Sequence, residues 1–211
     1  EASDNAGRGG CLRVDNEASA ELERVAMVGC RSPRGAAMCM QLSSSLVLRN
    51  CEVRDNVASM HAGGMYMWMS TFTAVDTVFS NNSALDGTGG VLLGVLYSVI
   101  SLLRCSMDDN YAFEEGGAVF LYGTNWLSAT HTNFSRNSGL YGGAICAMST
   151  AAIDMESCSF DGNTASRYGA IMAEGADVSF SHSSFTNNAA DLGGAVGVTS
   201  GGSLILVSVV T

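Results

Sequence analysis

Apolar positions along this chain fall in short runs, several alternating with polar ones as in Val178-Ser179-Phe180. That pattern suits strands of a wall with one face turned inward. The runs are punctuated at a nearly fixed interval. A small-residue pair recurs at Gly9-Gly10, Gly35-Ala36, Gly63-Gly64, Gly89-Gly90, Gly116-Gly117, Gly142-Gly143, Tyr168-Gly169 and Gly193-Gly194; counted from the second member, the steps are 26, 28, 26, 27, 26, 26 and 25 residues. An asparagine lies six to eight residues before the second member of each of the last six pairs, at Asn56, Asn82, Asn110, Asn137, Asn163 and Asn188. Three residues before each asparagine stands an apolar residue: Val53, Phe79, Met107, Phe134, Phe160 and Phe185.

A unit this short cannot bury its own apolar face. Stacked copies share a core, and each strand pairs with its equivalent about 4.8 Å above and below. The period therefore predicts an all-β chain folded as a right-handed parallel β-helix of about eight coils, each roughly 26 residues long. Two strand-like runs are expected per unit, for example residues 144–148 and then 151–160. The recurring Phe should stack inside. The Asn should take the left-handed backbone of a turn and bond along a ladder, and the glycine pair should allow a tight corner. The whole chain, 1–211, is expected to be one β-helix segment of a longer protein. Residues 1–27 would be a weaker first coil, 28–198 clear repeats, and 199–211 the opening of a further coil. The apolar stretch 204–210 should then be covered, by continuation or by docking.

The unit resembles the polymorphic outer-membrane-protein repeats of chlamydial surface proteins, which carry Gly-Gly-Ala-Ile and Phe-x-x-Asn motifs. Gly142-Gly143-Ala144-Ile145 and Phe160-Asp161-Gly162-Asn163 match both, and Gly116-Gly117-Ala118-Val119 with Phe134-Ser135-Arg136-Asn137 nearly so. Met65, Val91 and Ala170 depart from the first motif, and the unit before Gly35 shows Arg31 where an asparagine is expected. The resemblance implies a β-helix on a cell surface; the membrane barrel of those proteins has no counterpart here.

Twenty acidic residues face ten arginines and no lysine, for a net charge of −10. A nucleic-acid partner, which needs a basic stripe, is not expected. The greasiest stretch, 91–103, is broken by Gly94, Tyr97, Ser98 and Ser101. It falls short of the ~18 to 20 residues that span a bilayer. Seven cysteines in such a chain suggest an oxidising, extracellular or cell-surface setting. Cys11 and Cys30 are the expected disulfide. Cys51, Cys105 and Cys158 share a repeat position but lie two coils apart, beyond the ~7 Å reach of a bond, and should pack inward with Thr77 and Thr132. Cys39 and Cys146 share another position as buried thiols.

Two sequons, Asn81-Asn82-Ser83 and Asn133-Phe134-Ser135, offer N-glycosylation sites at Asn81 and Asn133. Parallel β-helices also host polysaccharide lyases and glycoside hydrolases, whose chemistry needs carboxylates converging with a basic group. Asp108 and Asp161 fall two positions before their asparagines, Asp55 and Asp109 one, and Arg136 nearby, so these residues would carry it. Asp86, Glu114 and Glu115, equivalent on adjacent coils, are the one calcium candidate. His61, His131 and His182 share no ligand spacing. Tyr66, Trp68, Tyr122 and Trp126 are placed in the strands after two glycine pairs, where an exposed ring would contact protein or sugar. The expected function is a rigid scaffold or recognition module without cofactor, meeting other surface proteins, glycans or its own copies at its open ends.

Overall fold

A computed structural model describes residues 8–210. Among them are thirty strands and no helix, arranged as a parallel β-helix of about eight turns. Every fourth strand joins the same sheet, giving two walls of eight strands and two of seven. One coil runs Ile145–Met148, Ala152–Glu156, Ser159–Asp161 and Thr164–Arg167, in walls one to four. Each strand pairs in parallel with its equivalents in adjacent coils, as Phe134↔Phe160↔Phe185 does in wall three.

Each coil thus holds four strands where the sequence suggested two. The run 151–160 is cut by Ser157, whose left-handed backbone (φ 53°) turns the chain from wall two to wall three. The equivalent corner residues are Arg24, Asn50, Asp76, Arg104, His131 and His182, all between φ 49° and 55°. Such backbone costs a non-glycine residue on the order of 1 kcal/mol. The stack offsets it, because the corner N–H bonds a carbonyl of the next coil: Arg104 N to Thr130 O (3.0 Å), His131 N to Glu156 O (3.0 Å). Since the coil geometry imposes the turn, residues as different as Arg, Asp, His and Ser occupy it, and no motif marks it.

The next corner corrects the role of the asparagines. The left-handed residue is the one before each of them: Asp55, Asn81, Asp109, Arg136, Gly162 and Asn187. The asparagine side chain instead turns inward, and Asn56, Asn82, Asn110, Asn137 and Asn163 are buried. Cys30, not Arg31, fills this position in the first coil: Cys30 N donates to Asn56 Oδ1 at 2.9 Å, while Arg31 lies in register with Val57. The weakly patterned residues 12–28 still stack on the second coil, Ala20 on Leu46, Leu22 on Leu48 and Met27 on Val53.

Inward residues of the four walls form one continuous core. Phe134, Phe160 and Phe185 stack face to face at 4.8 Å, and Phe180 meets two of them edge-on. In earlier coils the wall-three position holds Met27, Val53, Phe79 and Met107, and the core is filled from wall one by Met38, Met40, Met65 and Met67, whose flexible side chains adapt to irregular gaps. At the corner from wall four back to wall one the chain passes so close to its neighbour that a Cβ on Gly117 would overlap the Gly143 carbonyl oxygen. Outside the walls, Leu93, Phe120, Cys146 and Met172 form a second apolar cluster, packed with Tyr66, Tyr141 and Tyr168.

The stack closes on Leu204–Val207, which pairs with Val178–Ser181 on one side only. All four residues are exposed. Among the described residues only the Val210–Ser184 bridge follows that strand, and they do not supply the cover expected for it.

Candidate functional site

The asparagine ladder is the most regular polar array. Each Asn Oδ1 accepts the backbone N–H and an amide hydrogen of the preceding Asn, and each Nδ2 also donates to a backbone carbonyl of the preceding coil. Asn110, for instance, donates through Nδ2 to Phe79 O at 3.1 Å and to Asn137 Oδ1 at 2.9 Å. Every ladder amide is consumed internally as far as Asn188, so the array builds the fold and offers no ligand contact along its length.

The residues considered for polysaccharide cleavage lie on the exposed corner outside this ladder. Arg136 grips both oxygens of Asp109 at 2.8 Å, and Arg104 grips Asp76 in the same way at 2.7 Å, one coil being bound to the next. Hydrogen bonding from Arg136 holds Asp109 below the usual carboxylate range, and Thr186 and Asn187 do the same for Asp161. Asn81 and then Arg54 lower Asp55. Asp108 is bonded by Ser106 and Ser135, one of them in its own coil and one in the next. Asp108 and Asp161 stand two coils apart in register with Ser135 between them. Asp55, Asp109 and Asp161 are thus held in their charged form by bonds that reach the next coil, opposite to the raised pKa of a general acid.

The other sequence candidates sit apart from one another. Asp86, Glu114 and Glu115 do not form a cage: among the described residues, no group of three His, Cys, Asp or Glu side chains is placed to hold a metal ion. Burial and then Glu114 raise the Glu115 carboxyl. His61 accepts the Thr88 N–H through Nδ1 at 3.3 Å, and burial, helped by Arg34, lowers its pKa against the opposing pull of Glu114 and Asp86. Cys11 and Cys30 are joined as a disulfide with their Cα atoms 5.9 Å apart, while Cys39, Cys51, Cys105, Cys146 and Cys158 are buried free thiols. Burial pushes Cys39 and Cys158 up to about 11, so they are inert packing groups. Cys51 and Cys105 accept no bridge; their backbone N–H groups bond Thr77 and Thr132 of the next coil, each at 3.3 Å. Both sequon asparagines are exposed, Asn81 at a corner and Asn133 on wall three.

The aromatic residues separate. Tyr66 is half-buried beneath the Arg8 guanidinium, 5.2 Å from its ring centroid, and Trp68 is half-buried on wall one. Trp126 is not in that wall at all. It opens the wall-two strand Trp126–Thr130 and is 51% exposed. Beside it lies an open groove of about 250 Å³ across wall two, bordered by Ala152, Asp154, Asp177, Ser179, Ser203 and Ile205. Sequence reading singled out Trp126, but not the carboxylates, because their convergence depends on register between coils.

Fold and surface together define, over the described residues, a parallel β-solenoid with a solvent-facing groove beside Trp126 and an exposed apolar strand at Leu204–Val207. No family model, curated protein or solved structure matches the chain. The likeness to the chlamydial repeats therefore rests on the motifs alone.

Proposed function

We propose that this chain is a rigid structural and recognition module of an extracellular or cell-surface assembly, one that meets other surface proteins, its own copies included, through its C-terminal end. The observation that carries this reading is the chemical difference between the two ends. The first coil is guarded against strand pairing: Pro33 lies in its fourth strand at an irregularity of register, Glu21 and Glu23 stand on its second, and the Cys11–Cys30 disulfide ties it across. In the last coil the wall-four strand carries Asp191, but the wall-two strand has none of these devices. This final strand is Leu204, Ile205, Leu206 and Val207, uncharged and exposed. An uncharged apolar edge of this kind is a template for another strand.

The disulfide and the absence of lysine support an oxidising setting. The exposed Asn81 and Asn133 would carry glycans there. Natively purified protein, crosslinked before isolation, tests the proposal. A stoichiometric partner joined through residues 204–210, with slowed hydrogen exchange in that strand, is the expected result. A bare 21.9 kDa monomer with a freely exchanging last strand and polysaccharide-cleaving activity would overturn it.

A further inference from the structure

The geometry of wall two points to a second recognition site, on the side of the solenoid: a subsite for an amino-sugar pyranose in a saccharide chain, centred on Trp126. Two outward rows build it. Trp126, Ala152, Asp177 and Ser203 stand above one another in successive coils, and Asp154, Ser179 and Ile205 form the adjacent row. Ala152 is the decisive small residue, because it leaves the space next to the Trp126 ring open instead of filling it. From Trp126 to Ile205 the groove crosses three coil steps, roughly 14 Å along the axis at 4.8 Å per step.

Its lining selects the ligand. A pyranose has an apolar C–H face and a polar rim, matching an exposed indole and Ala152 bordered by hydrogen-bonding side chains. Asp154 and Asp177 lie one coil and two residues apart, which separates their Cα atoms by about 8 Å. Asp177 accepts Ser203 Oγ at 2.6 Å and the Ser203 N–H at 3.2 Å, both through Oδ1, which leaves Oδ2 without a bond from Ser203. Among the described residues, no arginine borders the groove. Two carboxylates without a bordering cation favour a protonated amino group over a uronate or sulfate, and an ammonium is also attracted to the indole face. An extended peptide is disfavoured, since the strands beneath, Ala152–Glu156 and Asp177–Ser181, are paired on both edges and have no backbone groups to offer.

The test is a titration of the isolated chain with a glucosamine tetramer, followed by isothermal calorimetry. We expect saturable binding that is lost at least tenfold in Trp126→Ala and in Asp154→Asn with Asp177→Asn, and kept in Trp68→Phe, with unchanged melting temperature in each. A galacturonate tetramer should not bind. Absence of glucosamine binding, equal binding of the galacturonate, or tetralysine binding more tightly with the same Trp126 dependence would each overturn the assignment. Because one isolated chain suffices, failure of the titration leaves docking at the C-terminal end untouched; Ile205 borders both sites, so binding is measured on the uncrosslinked chain.

Discussion

Individual residues carry this fold at the points where a polar group is buried. Asn110 satisfies two donors of Asn82, its backbone N–H and Nδ2, while bonding Phe79 O and Asn137 Oδ1 itself. Asn110→Ala should therefore strand several buried groups, and at ~1 to 3 kcal/mol for each unsatisfied group a loss of about 3 kcal/mol or more is expected. Denaturant unfolding would read it, with Asn133→Ala on the exposed wall as a nearly silent control. His61 gives a second prediction. Its folded pKa lies below the ordinary 6.5 because burial and Arg34 oppose the cation. The unfolded chain then binds more protons just below that pH, so the contribution of His61 is complete above about 6.5 and lost as pH falls. Melting temperature should drop on acidification from pH 7 to 5, and His61→Gln should flatten that slope; an identical slope in the variant would show that other groups set it.

At the level of strands and corners, legibility follows from whether a position constrains the residue type. Wall three was readable because its inward Phe stack and the buried ladder behind it accept few side chains, and so repeat as Phe-x-x-Asn. The corner between walls two and three was invisible because its left-handed turn accepts Arg, Asp, His or Ser alike. That single blind corner made two strands look like one. Cys30 hid the first-coil ladder position by contributing its backbone N–H in place of an asparagine amide. The disulfide from Cys11 to Cys30 encloses a sequence separation of 19 residues, a cross-link worth about 3 kcal/mol in chain-entropy terms. Reduction should loosen Leu12–Asp15 and Ser19–Glu23 selectively, seen as faster hydrogen exchange there and little change beyond the second coil. Uniform acceleration along the chain would contradict that local role.

Over the whole molecule, each coil touches only its neighbours, so stability grows as a sum of coil and interface contributions, and damage stays local. The two sites proposed above fit this plan, one on a terminal face and one on a flank, neither requiring the coils to move. Sequence reading reached the overall architecture from periodicity, but not the flank site, because Trp126, Asp154 and Asp177 belong to three successive coils and only their register brings them together. The ladder has one more consequence. From Asn56 to Asn163 each side-chain amide donates one hydrogen to the following asparagine's Oδ1, so the inter-asparagine bonds all run the same way along the stack. Aligned dipoles of this kind polarise one another, which gives the rod an electrical direction as well as a geometric one. The partially positive pole of the described rungs falls at Asn188, whose Nδ2 donates back to Phe160 O, so a variant that removes this amide should weaken the last rungs more than the first.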